Sequence, residues 1–200
     1  LLAPDLGEKC KEEPATSRQV QRQTKGADAQ AGLSSAIGGC GTTQIDHTNA
    51  FATLARGGVY KPHTTILEVK NSQGEVLEKW KDESKQVIDP QVAYIISDIL
   101  GDNNARKALF GNITMGLSYG NTGIRTASKT GTSDVGGNKP KDLWEMSYSP
   151  AISVGVWLGN SDTTPLKFGN STLPGPIVDK IMRYVHQDVY GPHIFPLQVA

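Results

Sequence analysis

The chain contains two cysteines, Cys10 and Cys40, in 200 residues. That is too few for a disulfide framework, and their spacing matches no zinc pattern. One bridge could form in an oxidising compartment; two free thiols are the favoured reading. No apolar run approaches the roughly 20 residues that cross a bilayer, and the start Leu1-Leu2-Ala3-Pro4-Asp5 lacks a basic region followed by an apolar one. Excess charge is missing too: 20 basic residues balance 20 acidic ones, so no net field recruits nucleic acid or an anionic membrane surface. Hydrophobic residues are sparse at 37%, whereas 22 Gly and 11 Pro point to many turns, hence a loop-rich soluble fold and not a helical bundle. There is no initiator methionine before Leu1, and the sequence reads as cut from a longer protein or processed.

The chain has room for one substantial core or two small ones. Residues 1–32 are polar and carry no apolar periodicity, which predicts a loop or poorly ordered lead-in. Order is expected from Leu33. Thr42 or Thr43 can cap a helix over about Gln44 to Arg56, with Gly57-Gly58 as its stop. Thr64 to Lys70 and Glu75 to Trp80 flank Asn71-Ser72-Gln73-Gly74, a predicted hairpin. Asp89-Pro90 starts a second helix that ends at Gly101, whose apolar residues Val92, Ala93, Ile95, Ile96, Ile99 and Leu100 predict the most buried helix. The Gly- and Asn-rich stretch from Gly101 to Ala127 is long for an idle connection and is expected at a groove rim. Three strands follow, Ala127 to Ser133, Leu143 to Tyr148 and Ile152 to Leu158, as an antiparallel meander with the last and most apolar in the centre. A helix over Pro174 to Val189 can pack across them, and residues 191–200 form a tail.

The chemistry concentrates in Ser128-Lys129-Thr130-Gly131-Thr132-Ser133. A cation, hydroxyls and a glycine without Cβ stand on one β-prone segment, suited to hold an anionic acyl substrate. In an extended strand Lys129, Gly131 and Ser133 point to one face, and Thr130 and Thr132 to the other. Gly131 leaves space for a peptide-like ligand to lie against the strand and share its hydrogen bonds. As a bare tripeptide Lys-Thr-Gly has little specificity. His47, His63, His186 and His193 have no metal-ligand spacing and read as surface or helix-face imidazoles.

Separate stretches resemble one family, in one order. Asn49-Ala50-Phe51-Ala52-Thr53-Leu54-Ala55-Arg56-Gly57-Gly58 is similar to the Ala-Tyr-Ala-Thr-x-Ala-Asn-Gly-Gly helix of penicillin-binding protein transpeptidases. Gly74 to Leu77, Asp102 to Gly111, Lys129 to Ser133, Asp142-Leu143-Trp144, Tyr148-Ser149-Pro150 and Val154 to Asn160 follow in the family's order. The resemblance covers about Leu33 to Val185 and is nearest to the class A, bifunctional members, which also carry a glycosyltransferase domain. It implies an α/β fold of the serine β-lactamase and D,D-transpeptidase type, a mostly antiparallel sheet flanked by helices, with residues 33–190 forming the C-terminal part of that domain.

The resemblance also implies a division of labour. A serine in Ser-x-x-Lys attacks the D-Ala-D-Ala peptide, a Ser-x-Asn motif shuttles protons, and the Lys-Thr-Gly strand holds the substrate. Neither of the first two motifs occurs in this sequence. Carried over, Lys129 is catalytic, placed beside the absent nucleophile, while Thr130, Gly131, Thr132 and Ser133 bind substrate, the Thr132 N–H helping to stabilise the oxyanion. Implied partners are peptidoglycan stem peptides, β-lactam antibiotics, the missing N-terminal half of the domain and the glycosyltransferase domain; no cofactor is implied. The parent would work on the extracytoplasmic face of a bacterial membrane. Alternatives are a non-catalytic transpeptidase-like binding module and a serine β-lactamase. Where the family carries Phe-x-Gly-Tyr-Thr-Pro after its tryptophan, this chain reads Trp144-Glu145-Met146-Ser147-Tyr148-Ser149-Pro150. The expectations are an outward-facing Glu145 and looser backbone packing at Ser147, with Trp144 and Trp157 as sheet packing.

Overall fold

The computed structural model describes residues 42–110, 125–137 and 139–189. The predicted lead-in over 1–32, the start of order at Leu33, both cysteines, most of the predicted groove rim, His193 and the tail over 191–200 lie outside the described residues.

Helix α1 (Gln44–Ala55) begins where the Thr43 hydroxyl accepts the Asp46 amide at 3.2 Å, satisfying a donor the helix leaves open. It stops at Gly57-Gly58, as expected. Gly58 sits at φ +89°, and a Cβ there would lie 2.1 Å from the Ile88 carbonyl oxygen, so this close approach requires glycine. Short strands β1 (Val59–Tyr60) and β4 (Lys85–Gln86) pair antiparallel, and β2 (Glu68–Lys70) and β3 (Val76–Lys79) form the predicted hairpin, shorter than the sequence suggested.

Helix α2 (Pro90–Leu100) is capped by Asp89, whose carboxylate accepts the Gln91 amide at 2.8 Å. It is not the most buried helix. Its inward face is Ala93 and Ser97, while Val92, Ile95 and Ile99 are exposed; small residues let the helix approach the sheet closely and leave the large apolar ones outside. Helix α3 (Asn103–Phe110) was not anticipated, because Asp102-Asn103-Asn104 reads as loop. Asp102 is instead its cap, its carboxylate accepting the Asn104 and Ala105 amides at 2.8 and 3.1 Å.

Strands β5 (Ala127–Asp134), β6 (Pro140–Tyr148) and β7 (Ser153–Gly159) form the antiparallel meander in the order β5-β6-β7. The centre is therefore β6, not the more apolar β7. Helix α1 covers one face: Gln44 donates to the Gly155 carbonyl at 3.0 Å, the Ser153 hydroxyl donates to the Thr48 carbonyl at 3.2 Å, and Phe51 packs on Tyr148. Helix α4 (Gly175–Tyr184), continued by a π-helical turn over Val185–Val189, covers the other, where Val178 and Met182 pack on Val154 with Ile152 and Val156 around them. Each such fully buried side chain contributes roughly 1.5–3 kcal/mol. A strand enclosed on both faces has no outward position, and Leu143, Glu145, Met146, Ser147 and Tyr148 are all buried.

Candidate active-site edge

Register fixes the faces of the signature strand. Gly131 lies opposite Trp144, Lys129 opposite Met146 and Ser133 opposite Asp142; Thr130 lies opposite Glu145 and Thr132 opposite Leu143. Cross-strand partners share a face. Lys129, Gly131 and Ser133 thus lie on the α1 side and Thr130 and Thr132 on the α4 side, the alternation the sequence predicts.

Among the described residues β5 pairs on one side only. Its other edge carries the functional groups. Lys129 Nζ donates to the Thr130 carbonyl at 2.6 Å, and Arg106 Nη2 from α3 donates to the Ser128 carbonyl at 3.2 Å. Carbonyls two residues apart point the same way along a strand, so Ser128, Thr130 and Thr132 turn their backbone groups to the free edge. That is the arrangement an added peptide strand needs. Lys129 is exposed, Thr130 and Gly131 are half-buried, and Thr132 and Ser133 are exposed.

A Cβ at Gly131 would meet Trp144 Cβ at 3.4 Å, directed at the sheet face and not at the edge. Ser133 donates to Asp142, which also accepts the Trp157 indole N–H at 3.0 Å. Trp144 and Trp157 pack in a tilted pair with centroids 6.5 Å apart, so they are sheet packing as expected. His47 is wedged between Phe51 and Trp144, with centroids 5.3 and 5.2 Å away, and burial lowers its pKa. His186 is buried at 1% exposure, not a surface imidazole.

Two groups beside the edge escape a reading of the sequence. Arg106 ties α3 to Leu100 at the end of α2 and to β5; its only signal there is its place in the family-like stretch Asp102 to Gly111. Glu145, expected to face outward, is 0% exposed, and among the described residues neither carboxyl oxygen has a hydrogen-bond partner. Burial pushes its carboxyl up to about 8, opposed by the charges of Arg106 and then Lys129. The signal that could have found it is the position of β6 between two helices. At Ser147 packing is not loosened: its hydroxyl accepts from Ser128 Oγ at 2.9 Å, a buried pair directly across the ladder. Tyr148, pushed up to about 12 by burial, contacts Ser97 Oγ at 3.0 Å.

The model of the penicillin binding protein transpeptidase domain matches residues 9–183. The chain belongs to the penicillin-binding protein transpeptidase family. Penicillin-binding protein 1A of Mycobacterium tuberculosis is 31% identical over 156 residues, covering 73% of this chain and 17% of that protein. The solved structure of PonA1 from the same organism superposes with a TM-score of 0.67 at 26% identity, covering 80% of this chain and 42% of that one. Penicillin binding protein 3 of M. tuberculosis, complexed with aztreonam, shares the fold with a TM-score of 0.55 at 21% identity, over 80% and 38% of the two chains. The fold is thus that of the transpeptidase domain, helices on a mostly antiparallel sheet, and the chain spans about a fifth of the length of the curated relatives it matches. Among the described residues no cluster of His, Cys, Asp and Glu is placed to hold a metal ion, and no helix is long and apolar enough to cross a membrane.

Proposed function

We propose that this chain forms the substrate-holding wall of a serine-type D,D-transpeptidase that cross-links peptidoglycan stem peptides and is acylated by β-lactams. The observation that carries this reading is the Lys129-Thr130-Gly131-Thr132 segment on a strand whose outer edge is unpaired among the described residues, in a chain of this family. A donor peptide laid along β5 would exchange backbone hydrogen bonds with Thr130 and Thr132. The serine that attacks the penultimate D-alanine carbonyl would come from outside this chain; the C–N bond breaks, D-alanine leaves, and the amine of a second stem peptide takes the acyl group from the serine ester. The Thr132 N–H, on the edge side by strand alternation, would help stabilise the oxyanion of each tetrahedral intermediate. Lys129 would move from the Thr130 carbonyl toward the nucleophile, raising the local positive potential and freeing that carbonyl for the substrate.

Thr130 and Thr132 supply hydroxyls for the terminal carboxylate of the peptide, or for that of a β-lactam such as the aztreonam bound to the M. tuberculosis relative. Ser133, held by Asp142, closes the outer end of the site. The parent would act outside the cytoplasmic membrane, where peptidoglycan is made, joined to the remainder of the transpeptidase domain and to a glycosyltransferase domain. Acylation of the full-length protein by a fluorescent penicillin tests this reading: covalent labelling supports it, and a full-length protein that is never labelled is a binding module instead.

A further inference from the structure

The transpeptidase reading gives Lys129 and the threonines of β5 their parts and leaves Arg106 without one. This side chain is half-buried on α3, outside the sheet. Its guanidinium donates to the Asn103 side-chain oxygen at 2.9 Å, to the Leu100 carbonyl at the end of α2, and to the Ser128 carbonyl on the edge of β5 at 3.2 Å. A guanidinium keeps its charge at any working pH and presents its donors in a rigid planar fork. Arg106 is therefore fixed from two helices at once, and the Ser128 carbonyl is held by a group that has other anchors.

The contact at the next edge carbonyl is of a different kind. Lys129 is exposed, and its ammonium, on a flexible four-carbon stem, reaches the Thr130 carbonyl of its own strand. It can leave that carbonyl to a ligand without disturbing any other element. An added strand pairs with every second residue of an edge, so the positions open to it are Thr130 and Thr132. One step further, roughly 7 Å along the strand, the lane at Ser128 is filled by the Arg106 guanidinium.

The direction of the peptide follows from the same spacing. With the oxyanion at the Thr132 N–H and the terminal carboxylate one residue further on, the peptide runs antiparallel to β5 and its C-terminus arrives opposite Thr130. We propose, resting on the transpeptidase reading, that Arg106 is a specificity-determining residue: it closes the inner end of the β5 edge, so that a bound peptide has to end opposite Thr130. A peptide carrying one more residue after the terminal D-alanine would drive that residue into the guanidinium or pull the penultimate carbonyl away from Thr132. The fixed positive charge at the closed end also favours a free carboxylate there.

The test uses two acyl donors on the full-length protein, a stem peptide ending in D-Ala-D-Ala and the same peptide extended by one glycine, which lose D-alanine and D-alanyl-glycine respectively. The quantity read is the ratio of their kcat/KM values, which does not depend on the fraction of active protein. The wild type should prefer the unextended peptide by about tenfold or more, and Arg106→Ala should lower that preference by about tenfold. A wild type that takes both peptides equally overturns the proposal. So does a ratio unchanged in Arg106→Ala while both rates fall, the outcome for a side chain that only ties α2 and α3 to the sheet. If Arg106→Ala fails to fold, Arg106→Gln, which keeps an N–H for the Leu100 carbonyl but cannot also span to Ser128, is read in the same way. If neither peptide is turned over and no penicillin labels the wild type, the transpeptidase reading fails. Calorimetric affinities for the two peptides then decide: a preference for the unextended one that Arg106→Ala abolishes supports the closed end, and equal affinities, an unaltered preference or no binding refutes it.

Discussion

Replacing Glu145 by glutamine should make the fold more stable relative to the wild type as pH rises. In the unfolded chain the carboxyl titrates near its ordinary value of 4.5, and in the folded chain burial pushes it up to about 8. Between those values the unfolded state has lost a proton that the folded state keeps, so stability falls with pH. The favourable contribution of the buried acid is complete below pH 4.5 and lost as pH climbs through about 8. Each pH unit in that window costs about 1.4 kcal/mol, so raising the pH from about 5 to about 7.5 should cost the wild type about 3 kcal/mol that the Glu145→Gln variant does not lose. The sign follows from desolvation dominating over the attraction of Arg106 and Lys129. Urea unfolding of both proteins at the two pH values reads the difference directly as the change in midpoint at constant slope. Parallel pH dependences, with the gap between variants changing by less than about 1 kcal/mol, would refute the buried neutral acid.

Tyr148→Phe removes the buried hydroxyl that meets Ser97 Oγ, while Ser97 keeps its bond to the Ala93 carbonyl at 2.7 Å; an expected loss of about 1 kcal/mol is checked by thermal unfolding. Gly155→Ala places a Cβ 2.4 Å from Thr48 Oγ1 and 2.8 Å from Met146 Cε. Overpacking between α1 and β7 should cost about 1–3 kcal/mol, and a second change, Thr48→Ala, should recover part of it; no recovery in the double variant would mean the contact is not the cause.

Much of the candidate site was legible because its information is local. A strand alternates its side chains, so the division between Lys129, Gly131 and Ser133 on one side and Thr130 and Thr132 on the other needed no tertiary knowledge. Thr43, Asp89 and Gly58 announced helix ends for the same reason. Readings failed where burial depended on what packs above a residue. Apolar content suggested β7 for the centre, yet strand order is set by connectivity, and Glu145 and Ser147 hid the central position of β6. The apolar stripe of α2 suggested deep burial, yet its close approach to the sheet uses Ala93 and Ser97. Helix α3 was invisible because its cap and first turn are composed of residues that also make loops. The edge left unpaired among the described residues, with Arg106 and Lys129 on alternate carbonyls, is a property of strand order and could not be read from any one segment.

The central claim is that the edge of β5 holds the acylating ligand while the nucleophile lies outside this chain. The rate of covalent labelling by a fluorescent penicillin, measured on the full-length protein, on its Lys129→Ala variant and on the 200-residue chain alone, tests it most directly. The expected results are labelling of the full-length protein, a loss of about 10²-fold or more in Lys129→Ala, and no labelling of the isolated chain. Labelling of the isolated chain, or a Lys129→Ala rate equal to that of the wild type, would contradict it.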